Sequence, residues 1–233
     1  MPIAKPDDGI RARPASPDET ALDANFFDRP PEIVARELIG ATLLYDDAGG
    51  PIVETEAYHP DDPASHSFRG QTLRNAAMYG SPGTAYVYRI YGMHWCLNFV
   101  CKPGSAVLVR AIEPAVGIER MAERRNGLAQ RLLASGPGRL CAALGVSRGD
   151  DGKSLFQAPF RLAVSSVARD VLVGPRIGIT KAIEAPLRFG LEGFPLSEPP
   201  ILTSNKAWRR HCAMKTKPTG GSDAHPFRPI RHP

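Results

Sequence analysis

Two glutamates separated by one residue, in Val53-Glu54-Thr55-Glu56-Ala57-Tyr58, precede a histidine at position 66. A tyrosine-rich segment follows, Gly83-Thr84-Ala85-Tyr86-Val87-Tyr88-Arg89-Ile90-Tyr91-Gly92-Met93. Paired carboxylates are the usual equipment for cleaving a glycosidic bond through an oxocarbenium-like transition state. An isolated Glu-x-Glu in an amphipathic strand more often faces solvent, and alternate tyrosines more often pack across strands. In a basic chain the combination gains a second meaning. Rings stack on nucleobase faces at about 1–3 kcal/mol each, which offsets the few kcal/mol needed to take a base out of a duplex. An aromatic side chain at a turn tip can wedge into the gap left behind.

These residues need elements to present them. Residues 41–45 and 52–57 flank Asp46-Asp47-Ala48-Gly49-Gly50 and predict a hairpin, with Glu54 and Glu56 on one face of its second strand and able to face one cavity. Residues 84–90 and 94–101 flank Tyr91-Gly92-Met93 and predict a second hairpin with Tyr86 and Tyr88 on one face. Residues 106–112 continue as a strand, Leu108 and Arg110 on one side and Val107 and Val109 on the other. Helices are predicted over 32–39, 117–125 and 138–144, and short strands over 160–167, 176–180 and 187–191. Many short strands without regular βαβ alternation indicate an α+β fold: a single mixed domain with a curved, mainly antiparallel sheet and flanking short helices. The expected domain covers 21–216, between a disordered tail over 1–20 and a flexible basic tail over 217–233.

The composition, 42% hydrophobic and 23% charged over 233 residues, is that of a globular chain. No stretch approaches the roughly 20 apolar residues of a membrane span, and the first residues lack the pattern of a signal peptide, so a cytoplasmic setting is expected. Cys96, Cys101, Cys141 and Cys212 show no paired spacing and are read as buried small hydrophobes. The formal charge is +5. Lys206, Arg209, Arg210, Lys215, Lys217, Arg228 and Arg231 stand against Asp223 alone after Asn205, so the excess sits at the C-terminal end. That stretch is either a solvated tail or a phosphate-tracking arm.

Further blocks extend the pattern: His66-Ser67, Gln71-Thr72-Leu73-Arg74-Asn75, Met78-Tyr79, Pro82-Gly83, Cys96-Leu97-Asn98, Val107 to Pro114, Ser135 to Cys141 and Pro175 to Ile179. In order and spacing the chain resembles the alkyladenine (3-methyladenine) DNA glycosylase family across nearly all of the expected domain. The resemblance implies a monofunctional glycosylase that flips alkylated or deaminated purines out of damaged double-stranded DNA, acting as a monomer without cofactor or metal. It implies that Glu56 is the general base and Arg110 its neighbour, with Glu54 in support. Tyr58 and Tyr88 would sandwich the base, His66 would contact its edge, and Asn98 would oppose the amino group of normal guanine. Tyr91 would intercalate, leaving Tyr86 as a packing residue. His94-Trp95 departs from the family pattern of tyrosine then phenylalanine, and the segment 59–70 departs in length and composition.

Two other readings stay open at this level. A carbohydrate glycosidase would use both Glu54 and Glu56, and a non-catalytic DNA-binding module would use the tyrosines only for stacking. His59, Asp61, Asp62 and His66 lie close in sequence but lack a recognised metal spacing. Lys102 and Lys181 lie outside the motif blocks as candidate amines for a Schiff base.

Overall fold

The computed structural model describes residues 19–165 and 169–194. The expected tails beyond them, with the basic stretch after Asn205, Trp208 and Cys212, lie outside the described residues. Strand β1 (Glu19–Ala21) begins two residues before the expected start of the domain and pairs with β7 (Phe160–Ser165).

All strand pairings are antiparallel, and the fold is α+β, a curled sheet with a few short helices. The sheet also contains β2 (Thr42–Tyr45), β3 (Ala48–Tyr58), β4 (Ala85–Ile90), β5 (His94–Val100) and β6 (Ala106–Ile112). Its order is β1-β7-β2-β3-β6-β5-β4, and a further antiparallel pair, β8 (Val171–Gly174) with β9 (Arg188–Leu191), joins β3 through β9. The long β3 is central. Its first half pairs with β2 and its second half with β9 on that side, while β6 runs along the other.

The first hairpin turns more tightly than residues 46–50 suggested. Asp46 and Asp47 both take positive φ, 45° and 59°, and form a two-residue turn, so Ala48 already pairs with Tyr45. Gly49 and Gly50 are strand residues, paired with β2, and glycine is required there because neighbouring backbone leaves no room for a side chain. A Cβ on Gly50 would lie 1.9 Å from Glu113 O.

Period two divides the sheet into faces. Val87, Leu97, Phe99, Val107 and Val109 point into the main core, where fully burying each such side chain contributes roughly 1.5–3 kcal/mol. Helices α2 (Pro31–Glu37) and α5 (Pro137–Leu144) cover this face through Val34, Ala35, Leu140, Cys141 and Leu144. Thr55 donates from Oγ1 to Ala35 O at 2.8 Å and ties β3 to α2. Helices α1 (Ala24–Phe27), α3 (Ile118–Arg124) and α4 (Gln130–Leu133) complete the set. Of these, α3 was legible in the sequence, whereas α1 and α4 each make a single turn, too short to show a period.

One expected strand is absent. Residues 176–180 form an irregular segment, and the strand of that region is β8 just before it. Pro175 offers no backbone donor to a ladder, and Gly178 sits at φ 73°, outside the extended region. Among the described residues, no helix is long and apolar enough to cross a membrane.

Candidate active site

The alternate residues of the same strands, Tyr86 and Tyr88 on β4, Cys96 and Asn98 on β5, Leu108 and Arg110 on β6 and Glu56 on β3, line a cavity of about 520 Å³ on the face away from the helices. Tyr58 at the end of β3, His66, and the 177–181 segment close its sides. Tyr91 and His94 stand in its wall at the second hairpin, and Gly138 at the start of α5 abuts His94: a Cβ there would come within 2.9 Å of His94 Cβ.

Glu56 is fully buried, contrary to the solvent-facing reading of an isolated Glu-x-Glu. Its Oε1 accepts from Ile177 N at 2.8 Å and faces Arg110 Nη1 at 3.2 Å, and its Oε2 accepts from Tyr58 Oη at 2.8 Å. A carboxylate has about four lone-pair positions. Among the described residues two accept hydrogen bonds and Arg110 faces Oε1 as an ion pair, so Oε2 keeps a position that can take a proton from a water. Burial, together with the adjacent Glu56 charge, pushes the Tyr58 hydroxyl well above its ordinary range, so it stays a donor. Burial alone would lower the Arg110 guanidinium, but the carboxylates of Glu56 and Glu54 outweigh it and hold it more firmly protonated.

Glu54 lies on the same side of β3 yet does not line the cavity. The pairing of β3 with β6 slips on either side of it, Ile52 turns into the core, and Glu54 is enclosed by Arg110 Nε at 3.1 Å and Arg188 Nε at 3.6 Å. Among the described residues the cavity therefore presents one carboxylate, not the two-carboxylate arrangement of a carbohydrate glycosidase.

The rings are held in place. His66 Nδ1 lies 2.8 Å from Tyr86 Oη, and its ring meets Tyr88 edge-on at 4.4 Å between centroids. The exposed His66 is nonetheless sheltered by these rings, and the lost hydration lowers its pKa, favouring neutral imidazole. Asn75 fixes the loop beneath, donating to His66 O at 2.9 Å and Gly70 O at 3.1 Å while accepting from Thr72 N at 2.6 Å. Tyr86, expected to be packing, is buried against Met78, Val100 and Ala106 and in addition lines the cavity and partners His66. Asn98 commits Nδ2 to Tyr86 O at 3.0 Å, which leaves Oδ1 as the end of the amide available to a guest.

Arg176 falls in the Pro175 to Ile179 block of the resemblance, which assigned it no role. It is fully buried, pairs through both terminal nitrogens with Asp62, donates to Ala57 O at 3.1 Å and lies 4.6 Å over the Tyr58 ring. Asp62 is thereby engaged, and His59 Nε2 lies 2.9 Å from Glu32 Oε2; among the described residues no group of three His, Cys, Asp or Glu side chains is placed to hold a metal. Lys181 lines the cavity and Lys102 does not. Cys96, Cys101 and Cys141 are buried free thiols.

Tyr91, at φ 52°, is 77% exposed at the hairpin tip beside exposed Met93. Trp95 lies beneath Arg89, whose guanidinium is 5.6 Å from the ring centre. A second cavity of about 700 Å³ shares His66, Tyr86 and Tyr88 with the first and is bordered by Arg74, Arg89 and Arg148, a concentration of positive charge beside the ring-walled pocket.

Relatives named "Putative 3-methyladenine DNA glycosylase" include one from Rhizobium meliloti, 57% identical over 171 residues, covering 73% of this chain and 92% of its own length. One from Agrobacterium fabrum is 57% identical over 72% of this chain and 88% of its own, and one from Nitrosospira multiformis 58% over 71% and 88%. The model of the methylpurine-DNA glycosylase family matches residues 25–195, which takes in every strand from β2 to β9 and the whole cavity. The chain belongs to the methylpurine-DNA glycosylase family and is a DNA repair glycosylase.

Proposed function

We propose that this enzyme flips an alkylated or deaminated purine from damaged double-stranded DNA into the ring-walled cavity and hydrolyses its N-glycosidic bond with Glu56 as general base. The observation that carries the reading is the Glu56 carboxylate, buried and held by two hydrogen bonds and the Arg110 ion pair, at the floor of a cavity walled by Tyr58, His66 and Tyr88. In the step itself, water oxygen bonds to the anomeric carbon and the glycosidic electron pair leaves with the base. The water proton passes to Glu56. An N3- or N7-alkylated purine departs neutral because it starts cationic, and electron-rich rings favour that cation. A neutral lesion such as hypoxanthine needs a proton or hydrogen bonds on the base as well.

Arg110 keeps Glu56 ionised and oriented, Tyr58 and Tyr88 clamp the base, and His66 meets its edge. Asn98 turns away normal guanine, because an unmatched exocyclic group in a closed pocket is costly. Tyr91 fills the gap in the duplex, and Arg74, Arg89 and Arg148 track its phosphates. The enzyme works as a monomer in the cytoplasm, on the nucleoid in a bacterium.

Glu56→Gln tests this reading. The variant keeps the shape of the side chain, so it retains binding to an abasic-site analogue, while release of base in single turnover falls about 10²–10⁴-fold. The same reactions run with borohydride trap no enzyme–DNA adduct, because attack comes from water and not from Lys181. Unchanged excision by Glu56→Gln defeats the mechanism.

A further inference from the structure

Behind the pocket floor lies a layer of charge that base binding does not use. Glu54 and Arg188 have side chains 0% and 1% exposed, and neither lines the cavity. Arg188 sits on β9 directly opposite Glu56 in the strand register. Its Nε is 3.6 Å from Glu54 Oε1, and the same oxygen accepts from Arg110 Nε at 3.1 Å, while Arg110 Nη1 reaches Glu56 at 3.2 Å. The order Arg188, Glu54, Arg110, Glu56 therefore alternates in sign. Desolvating four charges is costly, and an apolar pair would fill the volume of Glu54 and Arg188 at less expense.

We propose that Glu54 and Arg188 are positioning residues that aim Arg110 at Glu56 and, by their opposed charges, set the pH below which Glu56 stops working as the base. The inference rests on Glu56 being that base. The groups that face Glu56 are Tyr58 and Glu54 from β3, Tyr88 from β4, Cys96 from β5, Arg110 from β6 and Arg188 from β9, with Lys181 and His66 at the cavity sides and Arg176 over the Tyr58 ring. Burial holds the Tyr58 and Tyr88 hydroxyls neutral and pushes the Cys96 thiol up to about 11, so none of the three gains charge as pH falls. His66 protonates in acid, but equally in every variant at positions 54 and 188. Changes at those positions are therefore read against a common background.

The test is the single-turnover rate on a hypoxanthine-containing duplex, at saturating enzyme, from about pH 4.5 to 8. Glu54→Gln removes a negative neighbour, favours the Glu56 carboxylate, and moves the acid limb of the profile down by about one pH unit. Arg188→Gln removes a positive neighbour and moves it up by a similar amount. Arg188→Lys keeps the charge and leaves the limb in place, and the double variant Glu54→Gln/Arg188→Gln brings it back towards the parent. A structural role alone lowers the rate without these opposed shifts.

Single variants that move the limb the same way, or leave it within about 0.2 of the parent while the rate falls, overturn the proposal. If Arg188→Gln does not fold, Glu54→Gln against Arg188→Lys decides. Glu56→Gln in the same assay separates the two levels: retained excision defeats the base reading itself, whereas lost excision with unmoved limbs defeats only this inference.

Discussion

Asp62→Ala tests how the pocket is held. Arg176 has no exposed side-chain surface and Asp62 only 6%, and their two-point contact is the sole carboxylate partner of that guanidinium among the described residues. Removing the carboxylate leaves a buried cation with Ala57 O as its remaining hydrogen-bond acceptor, at 3.1 Å. Breaking a buried pair from one side costs about 3–5 kcal/mol. For a chain of this size each kcal/mol shifts Tm by about 2–4 °C, so thermal unfolding should come roughly 6–20 °C earlier. Activity should fall too, even well below the new Tm. Arg176 supports the Tyr58 ring at 4.6 Å and immediately precedes Ile177, whose N–H holds Glu56 at 2.8 Å. A misplacement of about 1 Å there costs on the order of 10²-fold in rate. Replacing the pair together, Asp62→Leu with Arg176→Met, should recover most of the stability, since apolar residues of similar volume carry no desolvation penalty, but not the rate. Calorimetry and single-turnover excision at about 20 °C measure the two effects. A Tm within about 2 °C of the parent for Asp62→Ala, or full activity in the double variant, would refute the reasoning.

Three further outcomes are expected. Tyr91→Ser should lose far more excision on duplex than on single-stranded DNA, because only the duplex has a gap to fill; equal losses remove the wedge role. Asn98→Ala should narrow the preference for lesion over normal guanine by about 10-fold, the scale of one unmatched polar contact of 1–3 kcal/mol, measured as competing release from one duplex. The third concerns pH. Because the folded state lowers the His66 pKa, the unfolded chain takes that proton first, so stability from this group is present above the ordinary value near 6.5 and declines as pH falls through it to the lowered folded value. Urea unfolding at about pH 7.5 and 5.5 should show a smaller acid loss in His66→Asn than in the parent; equal losses would mean that His66 keeps its proton affinity on folding.

Much of the site was written in local periodicity. Alternation along 84–90 and 94–101 places Tyr86, Tyr88, Cys96 and Asn98 on one face, and alternation along 106–112 does the same for Leu108 and Arg110, because a strand's side chains have a period of two wherever it lies. Glycine beside Tyr91 marks the hairpin tip for the same local reason. What the sequence could not decide is which groups meet across the sheet. Glu54 and Glu56 are equivalent by period, and only the covering by β9, with Arg188 delivered from 132 residues further along the chain than Glu56, encloses one and leaves the other at a cavity. The segment after Pro175 reads as a strand in sequence but is irregular in the fold, where it supplies the Ile177 donor and Arg176. Residue types and spacing thus determined the kind of chemistry. Tertiary structure decided which carboxylate reaches the cavity, because burial and partner charges are properties of contacts between distant segments and are not carried by any one of them.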